Sequence, residues 1–277
     1  MKYAVQYSSS FRYLNEVDEV VFQYSGTDQI IDFIPSVLQE EQTAVINLTE
    51  IAEENIKEVI VYLNKLKEVH SNFKIQIDFY NQKDFIGLLN DNDIQFMFWN
   101  MAGDRDILTA MLNYNITDIY IVEDLAFNLK DISEYLKDKV SIRVFPDIAQ
   151  YKRGAGDEIS DLTKFFIRPE DVELYKEYID VLEIFRLDVR QSTVYEIYKQ
   201  EQWLGALDFL IMDFKAGISN THIEPHFGET RLNCGKRCAF GKCNVCKNIE
   251  QLSKSLEEAG LEIIKPRKRS EAPVEEE

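Results

Sequence analysis

Short apolar runs alternate with amphipathic helical stretches along most of this chain, and this alternation is its strongest constraint on the fold. The runs are rich in β-branched and aromatic residues. They predict strands over 19–24, 43–48, 73–79, 94–99, 118–123, 140–145, 164–167 and 180–185. Such runs are typical of parallel strands covered on both faces. Between them lie helical patterns such as 54–69, in which apolar residues recur at spacings of three and four.

Eight predicted strands, each followed by a helical pattern, indicate an α/β fold of the (β/α)8 TIM-barrel type. An open, doubly wound sheet is the alternative. The segment 2–8 is either the true first strand or an extra strand that closes the barrel bottom. The sequence has neither a GxGxxG nor a GxxxxGK[ST] loop, which argues against a Rossmann or P-loop enzyme. We expect a barrel domain over 1–215, a cysteine-rich segment with a final helix over 216–264, and a disordered charged tail over 265–277.

Polar residues follow most of the predicted strands, at the ends where barrel enzymes carry their catalytic groups. They are Asn47, Glu50, Asp78, Asn100, Glu123, Asp124, Asp147, Gln150, Arg168, Glu170 and Asp171. Each of them alone also fits an ordinary helix cap or loop carboxylate. A ring of carboxylates after several strands indicates a functional site more strongly than any one of these residues does. We predict Glu123, Asp124, Arg168 and Glu170 as the catalytic residues.

All four cysteines of the 277-residue chain lie close together near its C-terminus. They are Cys234, Cys238, Cys243 and Cys246, with the spacing C-x3-C-x4-C-x2-C. Disulfides are one alternative, but bridges that close such short loops stabilise little. The sequence also begins MKYAVQYSSS, without the apolar run of a signal peptide. The cysteines therefore predict a metal or cluster site.

The spacing of the cysteines leaves a [4Fe–4S] cluster and Zn²⁺ both open. Structural zinc usually takes two close pairs of ligands that lie about a dozen or more residues apart, which this short segment does not provide. Compact cysteine runs are better known around iron–sulfur clusters, although their usual spacings differ from this one. A radical-SAM cluster is disfavoured because the x4 gap interrupts the C-x3-C-x2-C pattern. His222 and His226 lie just upstream and are weaker candidate ligands.

The net charge of −18 argues against general nucleic-acid binding, because phosphate contacts need clustered Lys and Arg. No stretch approaches the roughly 18 apolar residues of a membrane helix, and we expect a cytoplasmic protein without membrane contact. Lys236, Arg237 and Lys242 form a basic island among the cysteines. We expect the cysteine segment to cap the C-terminal ends of the strands and to bring these cations to the predicted catalytic residues. The alternative is that the cysteine segment packs on the outside of the barrel and only stabilises the fold.

Three further segments follow one another in the sequence. They are TDIYIVEDLAFNL (117–129), VSIRVFPDIAQ (140–150) and the stretch 165–192, which contains the turn IRPED. In this order they resemble segments of the peptidase U32 family. The resemblance covers about residues 70–250, and the cysteine-rich segment also fits it. Members of the family are barrel-like proteins assigned as peptidases, and some are accessory proteins for oxygen-independent hydroxylation of quinones or transfer RNA. Several of these carry a four-cysteine iron–sulfur cluster.

The resemblance therefore implies an enzyme or an enzyme subunit with a cysteine-ligated centre, acting on an unknown substrate or protein partner. A non-catalytic scaffold, in which the cysteines hold a structural zinc ion and the acidic barrel binds a partner, is the alternative.

Overall fold

The computed structural model describes residues 1–24, 29–102, 105–121, 129–146, 166–185, 188–210, 219–223, 226–232 and 251. Its strands are β1 (Lys2–Gln6), β2 (Glu19–Gln23), β3 (Thr43–Asn47), β4 (Phe73–Ile77), β5 (Phe96–Phe98), β6 (Met101–Ala102), β7 (Asp118–Ile121), β8 (Ser141–Val144) and β9 (Val181–Ile184). They form one sheet in the order β5-β4-β3-β2-β1-β9-β8-β7-β6, and every pair of neighbours is parallel.

The two segments β5 and β6 bring the edges of this sheet together. Only Trp99 and Asn100 separate them, and β5 pairs with β4 while β6 pairs with β7. In addition, the Thr117 N–H donates to the Phe96 carbonyl oxygen at 3.0 Å, which ties the start of β7 to β5. The two segments are therefore one barrel strand in two parts, and the sheet is a nearly closed barrel of eight parallel strands. The predicted (β/α)8 TIM-barrel fold is confirmed.

The segment at the N-terminus is the true first strand of the barrel. β1 lies between β2 and β9, with Ala4 in register with both Glu19 and Glu183. Of the predicted strand 164–167, residues 164 and 165 lie outside the described residues. Phe166 forms a β-bridge, and Phe166 and Ile167 are buried. The Ile167 N–H donates to Pro146 O at 3.0 Å, just beyond β8. A strand over 164–167 stays a prediction.

The helices follow the strands and flank the barrel. They are α1 (Gln29–Val37), α2 (Ile56–Val69), α3 (Lys83–Asp91), α4 (Arg105–Leu112), α5 (Leu129–Leu136), α6 (Val172–Tyr175), α7 (Gln191–Gln200) and α8 (Phe227–Leu232). Single 3-10 turns cover Leu14–Glu16, Glu53–Asn55, Pro169–Asp171, Leu207–Phe209 and Asn220–His222. In α2 the apolar residues at spacings of three and four are buried, as the sequence predicts. No helix in the described ranges is long and apolar enough to span a membrane.

Each strand presents different chemistry to its two faces. In β4, Phe73, Ile75 and Ile77 belong to the apolar core. Lys74 and Gln76, which alternate with them, point into the barrel and reach side chains of β7 on its far side. Because successive side chains of a strand point to opposite faces, the helices pack on an apolar surface while the interior of the barrel stays polar. This polar interior positions the candidate site.

Candidate functional site at the mouth of the barrel

Five charged side chains fill the N-terminal half of the barrel interior, and we call them the ion network. They are Glu19 of β2, Lys74 of β4, Asp118 of β7, Arg143 of β8 and Glu183 of β9. Lys74 Nζ donates to Glu19 Oε1 and to Asp118 Oδ1, both at 2.9 Å. Arg143 contacts all three carboxylates, including Glu183 at 2.9 Å and Asp118 at 3.3 Å. All five side chains are buried, so the network is a sealed part of the core.

The cations of the ion network hold its acids in the ionised form. Burial alone would raise the pKa of Asp118, but Arg143 and Lys74 outweigh it and lower this pKa to about 2. The pKa of Glu19 is lowered as well, since the same two cations outweigh its burial. Both groups therefore stay ionised far below neutral pH. A general acid needs a raised pKa, so neither group is suited to that role.

Tyr120 and Gln76 join the ion network to the upper half of the barrel. The Tyr120 hydroxyl donates to Glu183 Oε2 at 2.7 Å and accepts from Gln76 Nε2 at 2.6 Å. Gln76 is fully buried, yet its Oε1 atom has no hydrogen-bond partner. A buried acceptor without a donor costs free energy, and solvent does not reach Gln76.

Three carboxamides lie side by side on the inner wall at the C-terminal ends of β2, β3 and β4, and we call them the amide row. They are Gln23, Asn47 and Gln76. The parallel register pairs Gln23 with Asn47 and Asn47 with Gln76. Gln76 is fully buried, Asn47 is nearly so, and Gln23 is exposed. The row therefore leads from the barrel interior to solvent.

Four aromatic rings lie at the C-terminal ends of β5, β7, β8 and β9, and we call them the aromatic wall. They are Trp99, Tyr120, Phe145 and Phe185. Tyr120 and Phe145 stack with their ring centroids 5.0 Å apart. The centroid of Trp99 lies 5.7 Å from those of both Tyr120 and Phe185. Trp99 and Phe185 are half-buried, whereas Tyr120 and Phe145 are buried.

Several members of the predicted polar ring have local structural roles. Asp78 Oδ1 accepts from the backbone N–H groups of Tyr80 and Asn81, both at 2.8 Å, and Asn100 donates to Asp78 Oδ2 at 3.2 Å. Asn47 Oδ1 accepts from the Thr49 N–H at 2.9 Å. These contacts stabilise turns. They fit the local structural role that the sequence left open as the alternative for each of these residues.

The predicted catalytic residues Arg168 and Glu170 lie in the connection between β8 and β9. Arg168 Nε donates to Asp171 Oδ2 at 2.6 Å in a buried ion pair. Burial raises the pKa of Asp171, although the hydrogen bond from Arg168 opposes the shift. Glu170 is exposed and accepts from the Trp203 N–H at 2.7 Å and from Asn220 Nδ2 at 2.8 Å. Both residues thus hold this connection and the chain after α7 in place, and a catalytic role for them stays a prediction.

The other predicted site residues lie outside the described residues. They are Glu123, Asp124, Cys234, Cys238, Cys243 and Cys246. Helix α8 ends two residues before Cys234 and packs on the β8–β9 connection, where the Arg168 guanidinium lies 5.4 Å from the centroid of the Phe227 ring. In the described part of the chain, no group of three or more His, Cys, Asp and Glu residues could hold a metal ion. The predicted capping of the mouth by the cysteine segment stays a prediction.

Sequence reasoning missed both the ion network and the amide row. The signal that could have found them is the alternation within the strands, as in FKIQID (73–78) and SIRVF (141–145). If these stretches are interpreted as continuous apolar runs, the polar residues at alternate positions are overlooked. In a small barrel, those positions are the ones that meet in the interior.

No protein-family model matches this sequence, and no curated protein matches it significantly. The function is therefore argued from the mouth of the barrel and from the cysteine motif.

Proposed function

We propose that this protein is an enzyme, or a subunit of one, of the peptidase U32 type, which acts at the C-terminal mouth of its barrel. The observation that carries the proposal is the unequal filling of the barrel. Paired ions close the N-terminal half, whereas the C-terminal half ends in the amide row and two half-buried rings of the aromatic wall. Active sites of (β/α)8 enzymes lie at that C-terminal face.

The proposal includes a metal ion or a [4Fe–4S] cluster held by Cys234, Cys238, Cys243 and Cys246. Four thiolates suit both zinc and an iron–sulfur cluster. A cluster would supply electron transfer, and zinc would stabilise the segment. We assign an acid–base role to Glu123 and Asp124, because they follow β7 directly in the sequence, and Tyr120 of β7 belongs to the aromatic wall.

A non-catalytic scaffold with a structural zinc ion is the second candidate. It is favoured by the contacts described for Arg168 and Glu170. Arg168 forms an ion pair with Asp171, and Glu170 anchors the chain at Trp203. The two candidates differ in the metal that the purified protein contains.

Anaerobic purification followed by metal and sulfide analysis tests the proposal. We expect a brown protein with broad absorption near about 400 nm, and Cys238→Ser and Cys246→Ser variants that lose iron. Ala239→Ser, which adds a hydroxyl beside Cys238, is the matched control and should keep the metal. A colourless protein with one zinc ion per chain would favour the scaffold. Unchanged metal content in both cysteine variants would contradict the four-cysteine centre.

A further inference from the structure

We propose that the β8–β9 connection anchors helix α8 and thereby positions Cys234 for metal binding, so that Gly228 and Asp171 determine how tightly the metal is held. This inference rests on the proposed function, because it requires the four-cysteine centre. Gly228 and Asp171 are positioning residues in it, which act through α8 and not by contact with the metal.

Helix α8 approaches the connection so closely that only glycine fits at position 228. Gly228 is buried, and a methyl group in its place would lie 2.6 Å from the Oδ2 atom of Asp171. Heavy atoms that are not bonded normally stay about 3.5 Å or more apart, so a side chain at position 228 would push α8 off the connection. The Gly228 N–H donates to the Asp171 carboxylate, and this hydrogen bond requires the close approach.

The Asp171 carboxylate that receives α8 is itself fixed. Arg168 donates to Asp171 Oδ2 from Nε at 2.6 Å and to Oδ1 from Nη2 at 2.8 Å. Such two-point pairing of a guanidinium group with a carboxylate fixes the geometry as well as adding energy. Both residues are buried, so the pair is shielded from solvent. The surface on which Gly228 docks therefore cannot shift without breaking the ion pair.

The connection also holds the chain at a point before α8. Glu170 accepts from Asn220 Nδ2 through both of its carboxylate oxygens, at 2.8 and 2.9 Å. Within α8, Phe227 and Leu232 are buried and belong to the apolar core. The described chain is thus anchored at Asn220, at Gly228 and at both ends of α8.

This anchoring matters because Cys234 comes only two residues after Leu232. Two residues of chain span at most about 7 Å, so a fixed α8 limits the positions that the first thiolate can occupy, whatever path the following chain takes. A ligand that is ordered before the metal binds reduces the conformational entropy lost on binding. Release of α8 should therefore weaken the hold of the cysteines on their metal.

Metal release from the full-length Gly228→Ala variant, purified anaerobically, tests this inference. The chelator 4-(2-pyridylazo)resorcinol changes colour when it takes up iron or zinc, so the rate can be followed for either metal. We expect Gly228→Ala to release its metal at least about tenfold faster than the wild type, as when a residue that orients a metal ligand is lost. Amide hydrogen exchange over 227–232 should also become faster, because α8 has lost its docking contact.

The matched control is Gly87→Ala, because Gly87 lies in α3 and a methyl group there meets nothing within 4 Å. It should release metal at the wild-type rate. Leu232→Ala loosens α8 at its other end without touching the connection, and it should also speed release; this variant decides the question if Gly228→Ala does not fold.

The outcomes separate this inference from the proposed function. Wild-type release rates in Gly228→Ala and Leu232→Ala, or an equal acceleration in Gly87→Ala, would overturn this inference alone, since the cysteines would then hold the metal without the anchor. A wild-type protein that contains no metal would contradict the proposed function and this inference with it.

Discussion

The two halves of the barrel interior are built from different chemistry. In the N-terminal half, five charged side chains contact one another and are sealed from solvent. In the C-terminal half, the described interior side chains include carboxamides and aromatic rings, and Gln23, Trp99 and Phe185 retain exposure. Polarity alone therefore does not distinguish the end of the barrel that we propose as functional from the end that is closed by ion pairs. At the proposed functional end, polar and aromatic side chains keep some solvent exposure.

The side chains of the two halves are also expected to contribute differently. Those of the N-terminal half stabilise the fold, and those of the C-terminal half belong to the proposed functional site. A buried ion whose partner is removed is strongly destabilising, so the ion network ties five strands together and tolerates little change. A carboxamide at an open mouth can be exchanged at small cost in stability, because water satisfies whatever it loses. The following predictions test this separation, beginning with the largest expected effect.

Arg143→Leu should produce the largest loss of stability. Arg143 is fully buried and contacts Glu19, Asp118 and Glu183. Its removal leaves Lys74 as the partner of Glu19 and Asp118 in the network, and it takes the network cation from Glu183. We expect the free energy of unfolding in urea to fall by about 3–5 kcal/mol. Arg12→Leu, at an exposed arginine, should change it by less than about 0.5 kcal/mol. Similar values for the two variants would contradict a stabilising role of the network.

Asp118→Asn should change how stability depends on pH. Arg143 and Lys74 hold the pKa of Asp118 at about 2 in the folded protein, below its ordinary value of 3.8. A depressed folded-state pKa adds stability above the ordinary pKa, and this stability is lost as the pH falls towards 2. The difference in unfolding free energy between wild type and variant should therefore shrink by about 2 kcal/mol between about pH 5 and pH 2.

Urea titrations at several pH values measure this difference. Asp91→Asn, the same change at an exposed position, provides the control and should give a difference that does not vary with pH. A pH-independent difference for Asp118→Asn as well would show that the carboxylate has no special stabilisation from its cations.

Gln23→Leu should have the smallest effect on stability. Gln23 is exposed at the end of β2, so we expect the free energy of unfolding to stay within about 0.5 kcal/mol of the wild-type value. Urea unfolding measures this difference. A loss above about 1 kcal/mol would mean that the amide row belongs to the structural core.

The sequence could predict the class of the fold because the relevant signal is local. Strand runs such as 43–48 and the apolar stripe of α2 depend on neighbouring residues, and both elements form where expected. The N-terminal segment shows the limit of this reasoning. The sequence left open whether residues 2–8 form the first barrel strand, because that depends on pairing with β2 and with β9, which lies far along the chain.

The candidate site could be predicted only in part for the same reason. Its location at the C-terminal ends of the strands follows from the fold class. The roles of its residues do not, because Asp78 and Asn47 turned out to hold turns, whereas Gln23 and Gln76 had drawn no attention. A carboxylate after a strand looks the same in sequence whether it caps a turn or faces a ligand.

The sequence by itself determined the alternating strands and helices, the parallel barrel they imply, and the clustering of all four cysteines in one segment. The tertiary structure alone decided which polar side chains meet. Glu19 and Arg143 lie 124 residues apart, and Gln76 and Tyr120 lie 44 residues apart. Each of these contacts forms because closing the sheet turns every second side chain of eight strands towards one axis. Which of those side chains pair with each other, and which remain available at the mouth, follows from the register of the strands.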